Sequence, residues 1–318
     1  MSDLGHVLVL AGGLSYEREV SLRSGRRVAE VLRAAGVSVE TRDTDASLVP
    51  WILAESPSAV FVTLHGGAGE DGAIRSVLDL LSVPYVGAGS DACRIAFDKP
   101  TAKTVVRSVG VRTPASVTLP KETFHDLGAS AVLARIVAQL GLPLFVKPSR
   151  GGSALGASIV RTAEELPSAM VGCFAYGDTA LIEHYIEGVE VAVSVIDLGE
   201  GPVALPPVEI VPDDGVYDYA ARYTAGRTEF FAPARLSPAA SAACAEMAVT
   251  AHTALGLRDV SRTDLIVDAD GLPHFLEVNV APGMTETSLL PMAAEAAGED
   301  LGSLCRVLLE QAAARTTA

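Results

Sequence analysis

The segment Arg262-Thr263-Asp264-Leu265-Ile266-Val267-Asp268-Ala269-Asp270-Gly271-Leu272-Pro273-His274-Phe275-Leu276-Glu277-Val278-Asn279 reads as two strands joined by a tight turn. Asp-Gly is a preferred pair for a two-residue hairpin loop. With Asp270-Gly271 at the tip, Ala269 pairs with Leu272, and counting outward sets Asp264 opposite Glu277 and Arg262 opposite Asn279. Side chains alternate between the faces of a strand, so these four groups share one face. Carboxylates directly opposite each other destabilise a sheet unless something bridges them. Asp264, Glu277 and Asn279 form an oxygen set suited to a hard cation such as Mg²⁺, which keeps some of its coordination sites for water and phosphate oxygens. The plainer alternative, a solvated hairpin with a charged face, leaves the opposed carboxylates unexplained.

Composition bounds what surrounds that hairpin. A chain of 318 residues suffices for two or three domains with real cores. Hydrophobic residues at 49% and charged residues at 20% describe an ordered globule, and alternating strand-like and helix-like segments rich in Ala, Gly and Val indicate an α/β class. The formal net charge of -15 offers no footprint for nucleic acid or an anionic membrane. A phosphate ligand must therefore be held by locally placed basic groups and backbone N–H donors. Cys93, Cys173, Cys244 and Cys305 are far apart, form no C-x-x-C pair and read as buried small hydrophobes, which fits a reducing cytoplasm. The N-terminus runs into an apolar strand without a basic n-region or cleavage signal, so neither secretion by a standard signal nor a membrane span is expected.

Val7-Leu8-Val9-Leu10 followed by Ala11-Gly12-Gly13 reads as a buried parallel strand ending in a tight turn, with Ser15 as N-cap of a helix running from Glu17 to Leu32. A second strand, Ala59 to Leu64, ends in His65-Gly66-Gly67-Ala68-Gly69-Glu70-Asp71-Gly72, ahead of a helix to Leu81 and the run Val83 to Gly87. The pattern is a small doubly wound sheet of about ninety residues whose ligands gather at the carboxyl ends of the strands. Neither G-x-G-x-x-G at the opening turn nor G-x-x-x-x-G-K-[ST] anywhere in the chain is present.

In Leu144-Phe145-Val146-Lys147-Pro148, alternation sends Lys147 to the face opposite Val146, just before a loop from Ser149 to Ser158 containing Gly151, Gly152 and Gly156. Such glycines let consecutive N–H groups turn toward an anion, so the loop can close over phosphates while Lys147 neutralises one of them. Lys99 is a weaker second contact. Glu183 ends one strand and Glu190 opens the next, a crossing that suits an adenine and ribose hydroxyls. Tyr217-Asp218-Tyr219-Ala220-Ala221-Arg222-Tyr223 lies in a polar excursion from Pro212 to Arg227 and reads as a lid that excludes water. Directly after the hairpin, Asn279-Val280-Ala281-Pro282-Gly283-Met284-Thr285 sets the N–H of Gly283 where it can face a developing oxyanion beside Arg262.

Taken together, Gly12-Gly13 with Glu17-Arg18-Glu19-Val20-Ser21, Leu64-His65-Gly66 with Gly69-Glu70-Asp71-Gly72, Asp98-Lys99, Val146-Lys147-Pro148-Ser149, Tyr217-Asp218-Tyr219, Arg262-Thr263-Asp264, Glu277-Val278-Asn279 and Pro282-Gly283-Met284-Thr285 make the chain resemble the D-alanine:D-alanine ligases of the ATP-grasp superfamily along essentially its whole length. The resemblance implies an α/β, three-domain ATP-grasp fold: an N-terminal doubly wound parallel sheet over 1–97, a central subdomain over 98–185, and a catalytic domain over 186–318 with a lid loop at 212–227. ATP would lie sandwiched between the central and C-terminal sheets. Two Mg²⁺ ions, replaceable by Mn²⁺, would sit on Asp264, Glu277 and Asn279. The carboxylate of one D-alanine would attack the γ-phosphate, and the amine of a second would attack the acyl phosphate to give D-alanyl-D-alanine for peptidoglycan precursors.

By the same likeness, Glu17 would bind the first ammonium and form a hydrogen-bonded chain with Ser153 and Tyr223. His65 would contact substrate, Arg262 and Gly283 would stabilise the tetrahedral intermediate, and Ser288 and Leu289 would receive the second carboxylate. Lys99, Lys147, Ser153 and Arg222 would contact phosphates, and Glu183, Ile186 and Glu190 the nucleoside. A cytoplasmic homodimer acting on D-alanine and ATP is implied, with no nucleic acid or membrane partner. Some positions depart from the pattern: Gly151 and Ser153-Ala154 stand where many members carry an acidic residue and a Ser-Ser pair, Ala221 and Arg222 where Glu and Lys are usual, and His184 at the hinge lysine. Two other readings are a related ligase of specialised metabolism joining other amino or hydroxy acids, and a non-catalytic nucleotide-binding partner.

Overall fold

A computed structural model of the chain describes residues 4–213 and 226–315. The apolar run ahead of Gly12 becomes β1 (His6–Leu10), flanked on both sides and covered on both faces, with Val7 to Leu10 fully buried. It pairs in parallel with β2 (Ser38–Arg42) on one side and β3 (Ala59–Val62) on the other, and β4 (Tyr85–Val86) extends β3, giving the order β2-β1-β3-β4. The connecting helices are α1 (Arg18–Ala34), α2 (Leu48–Glu55) and α3 (Ala73–Leu80). The strand order reverses between β1 and β3, so the loops leaving those two strands open a crevice there.

Those two loops are tied to each other, which corrects the expected helix start. Glu17, not Ser15, occupies the N-cap position of α1. Ser15 Oγ instead donates to the carbonyl of His65 at 2.5 Å and accepts from the Glu17 N–H at 3.1 Å. A hydroxyl in that place can cap its own helix or bridge the neighbouring loop, and here the crevice takes it.

After α4 (Ser90–Phe97) and α5 (Lys99–Ser108) comes a second sheet of β5 (Ser116–Pro120), β6 (Leu144–Pro148), β7 (Ser158–Val160) and β8 (Thr179–His184), antiparallel in the order β5-β8-β6-β7. Helices α6 (Lys121–Leu127), α7 (Ala129–Leu140) and α8 (Leu166–Phe174) bring Phe124, Ile136 and Leu166 onto its Leu144, Val146 and Ile182.

The third sheet holds β9 (Val189–Asp197), β10 (Pro202–Ala204), β11 (Val208–Pro212), β12 (Thr228–Phe231), β13 (Val260–Val267) and β14 (Pro273–Asn279). Its path is β12-β11-β9-β13-β14, with β10 also on β9. The period-two alternation along β9 sends Val191, Val193 and Val195 toward α9 (Pro238–Ala254), and Ala192 and Ile196 toward a core shared with α10 (Leu289–Ala296) and α11 (Leu301–Ala314). That second core includes Val28 and Leu32 of α1 and Phe61 of β3, so the C-terminal helix returns to the first sheet. All four cysteines are buried and unbridged. Among the described residues no helix is long and apolar enough to cross a membrane.

The deciding hairpin pairs Arg262 with Asn279 and Asp264 with Glu277, as counted, but by another route. At the tip the Gly271 N–H donates to the Asp268 carbonyl (2.9 Å) and the Asp268 N–H to the Leu272 carbonyl (3.0 Å), which makes a three-residue loop with Gly271 at φ +77. The Asp268 carboxylate favours this loop by accepting from the N–H groups of Asp270 and Leu272. Leu265 therefore faces Phe275, one residue short of the two-residue count, until a bulge between Asp264 and Leu265 on the ladder, with Leu276 as the extra residue, restores the expected register.

Candidate active site

Two adjoining cavities open at the hairpin face and share Lys99, Gly151, Gly152 and Glu277 in their walls. The first, about 160 Å³, lies between the second and third sheets. Its walls carry the apolar side chains of Phe145, Tyr185, Ile266 and Leu276. The bulge matters here, because it lets Leu276 and Glu277 both line the cleft. Lys147, Glu183, Ile186, Glu190 and Asp264 also line it, with Lys99; of the residues expected at a nucleotide, Ser153 lines the second cavity instead and Arg222 lies outside the described residues.

At its floor the charges are paired. Lys147 Nζ lies 3.0 Å from one oxygen of Glu183, and Lys103 Nζ lies 2.5 Å from the other. Burial works against the Glu183 carboxylate, but the two lysines outweigh it and hold its pKa below the ordinary value. For Lys147 burial also opposes the charge, and Glu183 and Glu277 overcome it and raise the pKa. At Lys103 burial, with the neighbouring Lys147 charge added to it, outweighs Glu183 and pulls the pKa down to about 8. Glu183, expected at the nucleoside, thus has its carboxylate engaged by two cations. Lys99 is also buried rather than solvated: its Nζ donates to the Gly151 carbonyl (2.6 Å) and sits 3.5 Å from Glu277.

The second cavity, about 360 Å³, is lined by Glu17, His65, Ser153, Arg262, Asn279, Gly283, Ser288 and Leu289, together with Glu70. Arg262 holds Asp264 through two parallel bonds, Nε to Oδ1 at 2.7 Å and Nη2 to Oδ2 at 2.8 Å. Asn279 Oδ1 accepts from the Ala281 N–H at 2.9 Å, which fixes the amide and starts the turn to Gly283. Ser153, at φ +53 in the glycine-rich loop, donates to Glu17, so the first link of the expected chain is present. Tyr223, the next link, lies with Tyr217, Tyr219, Ala221 and Arg222 outside the described residues. Ser288 Oγ accepts from the Thr285 N–H (2.9 Å) and lies 2.6 Å from where a Cβ on Gly283 would stand, so a side chain there would crowd the turn. Ser288 directly precedes α10, whose first residue is Leu289, so a helix N-terminus faces this end of the cavity.

The wall behind Glu17 is kept neutral. Burial lowers the pKa of His65. It pushes Glu70 up to about 8, with the nearby Glu17 charge adding to the effect. Glu70 and Lys103 were not among the expected site residues. Lys103 stands four residues after Lys99, on the same face of α5, and that spacing was the available signal. Glu70 sits in the quoted glycine-rich turn, where its burial has no sequence signature.

The oxygen set fits a hard cation by its donors: two carboxylates and an oriented carboxamide on one face. Among the described residues no three of His, Cys, Asp or Glu are placed to hold a metal ion by themselves, so a cation here requires Asn279 and outside oxygens to complete its shell.

The chain is similar to known proteins along most of its length. The family described as "D-ala D-ala ligase C-terminus" matches residues 105–310. A D-alanine--D-alanine ligase of Anaeromyxobacter sp. (strain K) is 41% identical over 307 residues, covering 96% of each chain. Among solved structures, the VanG D-Ala:D-Ser ligase of Enterococcus faecalis superimposes with TM-score 0.82 at 27% identity, covering 96% of this chain and 98% of that one. The D-alanine--D-alanine ligase of Bacillus anthracis complexed with ATP gives 0.79 at 28% identity, covering 98% of both. With a parallel sheet followed by two antiparallel sheets flanking a lysine-floored cleft, and a relative this similar from end to end, the chain belongs to the D-alanine–D-alanine ligase family of ATP-grasp enzymes.

Proposed function

We propose that this protein uses ATP to join two D-alanines into D-alanyl-D-alanine for cell-wall precursors. One observation carries the reading: the Arg262, Asp264, Glu277 and Asn279 face runs from a lysine-floored cleft, lined by Asp264 and Glu277, into a pocket holding Glu17, Ser153 and Gly283, lined by Arg262, Glu277 and Asn279. ATP occupies the first cavity, its base between the apolar walls and its phosphates toward Lys99, Lys147 and the loop 149–158, with Arg222 added from the lid. The first D-alanine lies in the second cavity with its ammonium at Glu17. Its carboxylate oxygen attacks the γ-phosphorus, the bond to the ADP oxygen breaks, and an acyl phosphate forms. The amine of the second D-alanine, held by its carboxylate at Ser288 and Leu289, then attacks the carbonyl carbon. Arg262 and the Gly283 N–H receive the developing oxyanion, and phosphate leaves with the oxygen that bridged it to carbon.

Asp264, Glu277 and Asn279 would hold Mg²⁺, which, when bound, neutralises phosphate charge during transfer. The division into domains at 97/98 and 185/186, a cytoplasmic setting and a homodimer belong to the same reading. Relatives at about 40% identity named for D-alanine support D-alanine as both substrates over the specialised alternative. ADP formation measured with D-alanine, D-serine, D-lactate and L-alanine tests this. Turnover with D-alanine at least tenfold above the others, ~1.4 kcal/mol, is expected. A preference for any other acceptor by that margin would assign the chain to a different ligase.

A further inference from the structure

We propose that Ser24 is a positioning residue that sets the Gly283 turn through a neutral His65 locked in one tautomer. The proposal rests on the reading of Gly283 as an oxyanion donor and adds the group that places it. Ser24 and His65 are both buried. His65 Nδ1 lies 3.0 Å from the Ala281 carbonyl, and Nε2 lies 3.0 Å from Ser24 Oγ. A carbonyl oxygen only accepts, so Nδ1 carries the proton. With burial holding the ring neutral, Nε2 is then the acceptor, and the Ser24 hydroxyl must donate to it.

That leaves a lone pair of Ser24 Oγ for one more partner, the N–H of Met284 at 3.1 Å. The two ends of the relay therefore grip the carbonyl of Ala281 and the amide of Met284, the residues on either side of Pro282-Gly283. Arg27, three residues along α1 from Ser24, donates to the Thr285 carbonyl at 2.5 Å and extends the grip. Ser24 reaches this depth because Gly25 lets α1 lie against the first sheet: a Cβ there would stand 2.3 Å from Ala11 Cβ and 3.0 Å from Thr63 Oγ1. The turn's two flanks are thus hydrogen-bonded to α1 and to the loop after β3, both more than 200 residues away in sequence. The charged groups facing the ring are Glu17 at the start of α1, Glu70 in the loop after β3, and Arg262 on β13. His65 in this arrangement has no proton to take up from substrate: its basic nitrogen is occupied by Ser24.

Nitrogen-15 spectra of histidine-labelled full-length protein, with two-bond couplings resolving the ring nitrogens, test the tautomer without relying on turnover. His65 should show the neutral Nδ1–H form with no titration from pH 6 to 8.5. The Nε2–H form, or titration at the ordinary value of a histidine, would overturn the proposal even if dipeptide synthesis is intact. In Ser24→Ala, kcat should fall roughly tenfold through loss of positioning while the Kd of ATP changes less than about twofold, and Ser24→Thr should restore most of it. Unchanged kcat, or an equal loss of ATP affinity, would contradict a role specific to the turn. Should Ser24→Ala fail to fold, the spectra of the unsubstituted protein still decide.

Discussion

The two cavities meet at one β-hairpin yet are built on opposite electrostatic principles. In the first, Lys103, Glu183 and Lys147 form a buried triad with a surplus positive charge, made from side chains on regular elements, α5, β8 and β6. In the second, the inner wall is neutral: His65 holds no extra proton, Glu70 keeps its own to about 8, and the geometry is carried by loops and their hydrogen bonds. The contrast suits the proposed reaction. A polyanion would be met by fixed charge in a chain whose overall charge of -15 would repel it, whereas an oxyanion that exists only transiently would be met by oriented dipoles that cost no reorganisation.

The contrast breaks most completely at the shared wall. Asp264→Ala and Glu277→Ala should each lower turnover by about 10³-fold or more, since each removes a carboxylate that would hold the proposed cation. ADP formation at saturating ATP measures this, and retention of a tenth of the rate would remove the cation site from the account. Arg262→Ala should come next, lowering kcat by about 10²-fold with little change in KM, because its contact strengthens as charge develops. A change confined to KM would place Arg262 in ground-state binding only.

Lys103→Met separates the two regions. It leaves Glu183 with one cation in place of two, which should destabilise the fold by about 3 kcal/mol and weaken ATP binding, while D-alanine binding holds. Denaturant unfolding and ATP titration read the two effects, and an unchanged ATP Kd would make the triad purely structural.

Glu70 probes the neutral wall through pH. Its folded pKa stands at about 8 against an ordinary 4.5, so the native protein holds a proton that the unfolded chain has released between those values. Its contribution is fully present below 4.5 and is lost as pH rises toward 8, by up to about 1.4 kcal/mol per unit. Glu70→Gln should flatten that part of the stability curve; an unaltered slope would mean that Glu70 is ionised in the native protein.

What was legible in the sequence was local. Strand alternation and turn chemistry brought Arg262, Asp264, Glu277 and Asn279 onto one face, although the register rested on two offsets that cancel: a three-residue loop fixed by Asp268, and a bulge at Leu276. Ser15 failed as a cap because a second loop, about fifty residues on, competes for its hydroxyl. Contacts between distant segments leave no periodic trace. Ser153 meets Glu17 across 136 residues, and His65 meets Ala281 across 216. The first was anticipated only through the family resemblance, and the second not at all. Burial of Lys99 and Lys103 was missed because a lysine reads as solvated until its carboxylate is seen beside it.

In the proposed reaction ATP activates the first substrate's carboxylate where the two cavities meet. D-Alanine labelled with ¹⁸O in its carboxyl group, incubated with the enzyme and ATP, tests it most directly by mass spectrometry of the released phosphate. Each phosphate formed during dipeptide synthesis should carry one ¹⁸O. Phosphate free of label while dipeptide accumulates would contradict it.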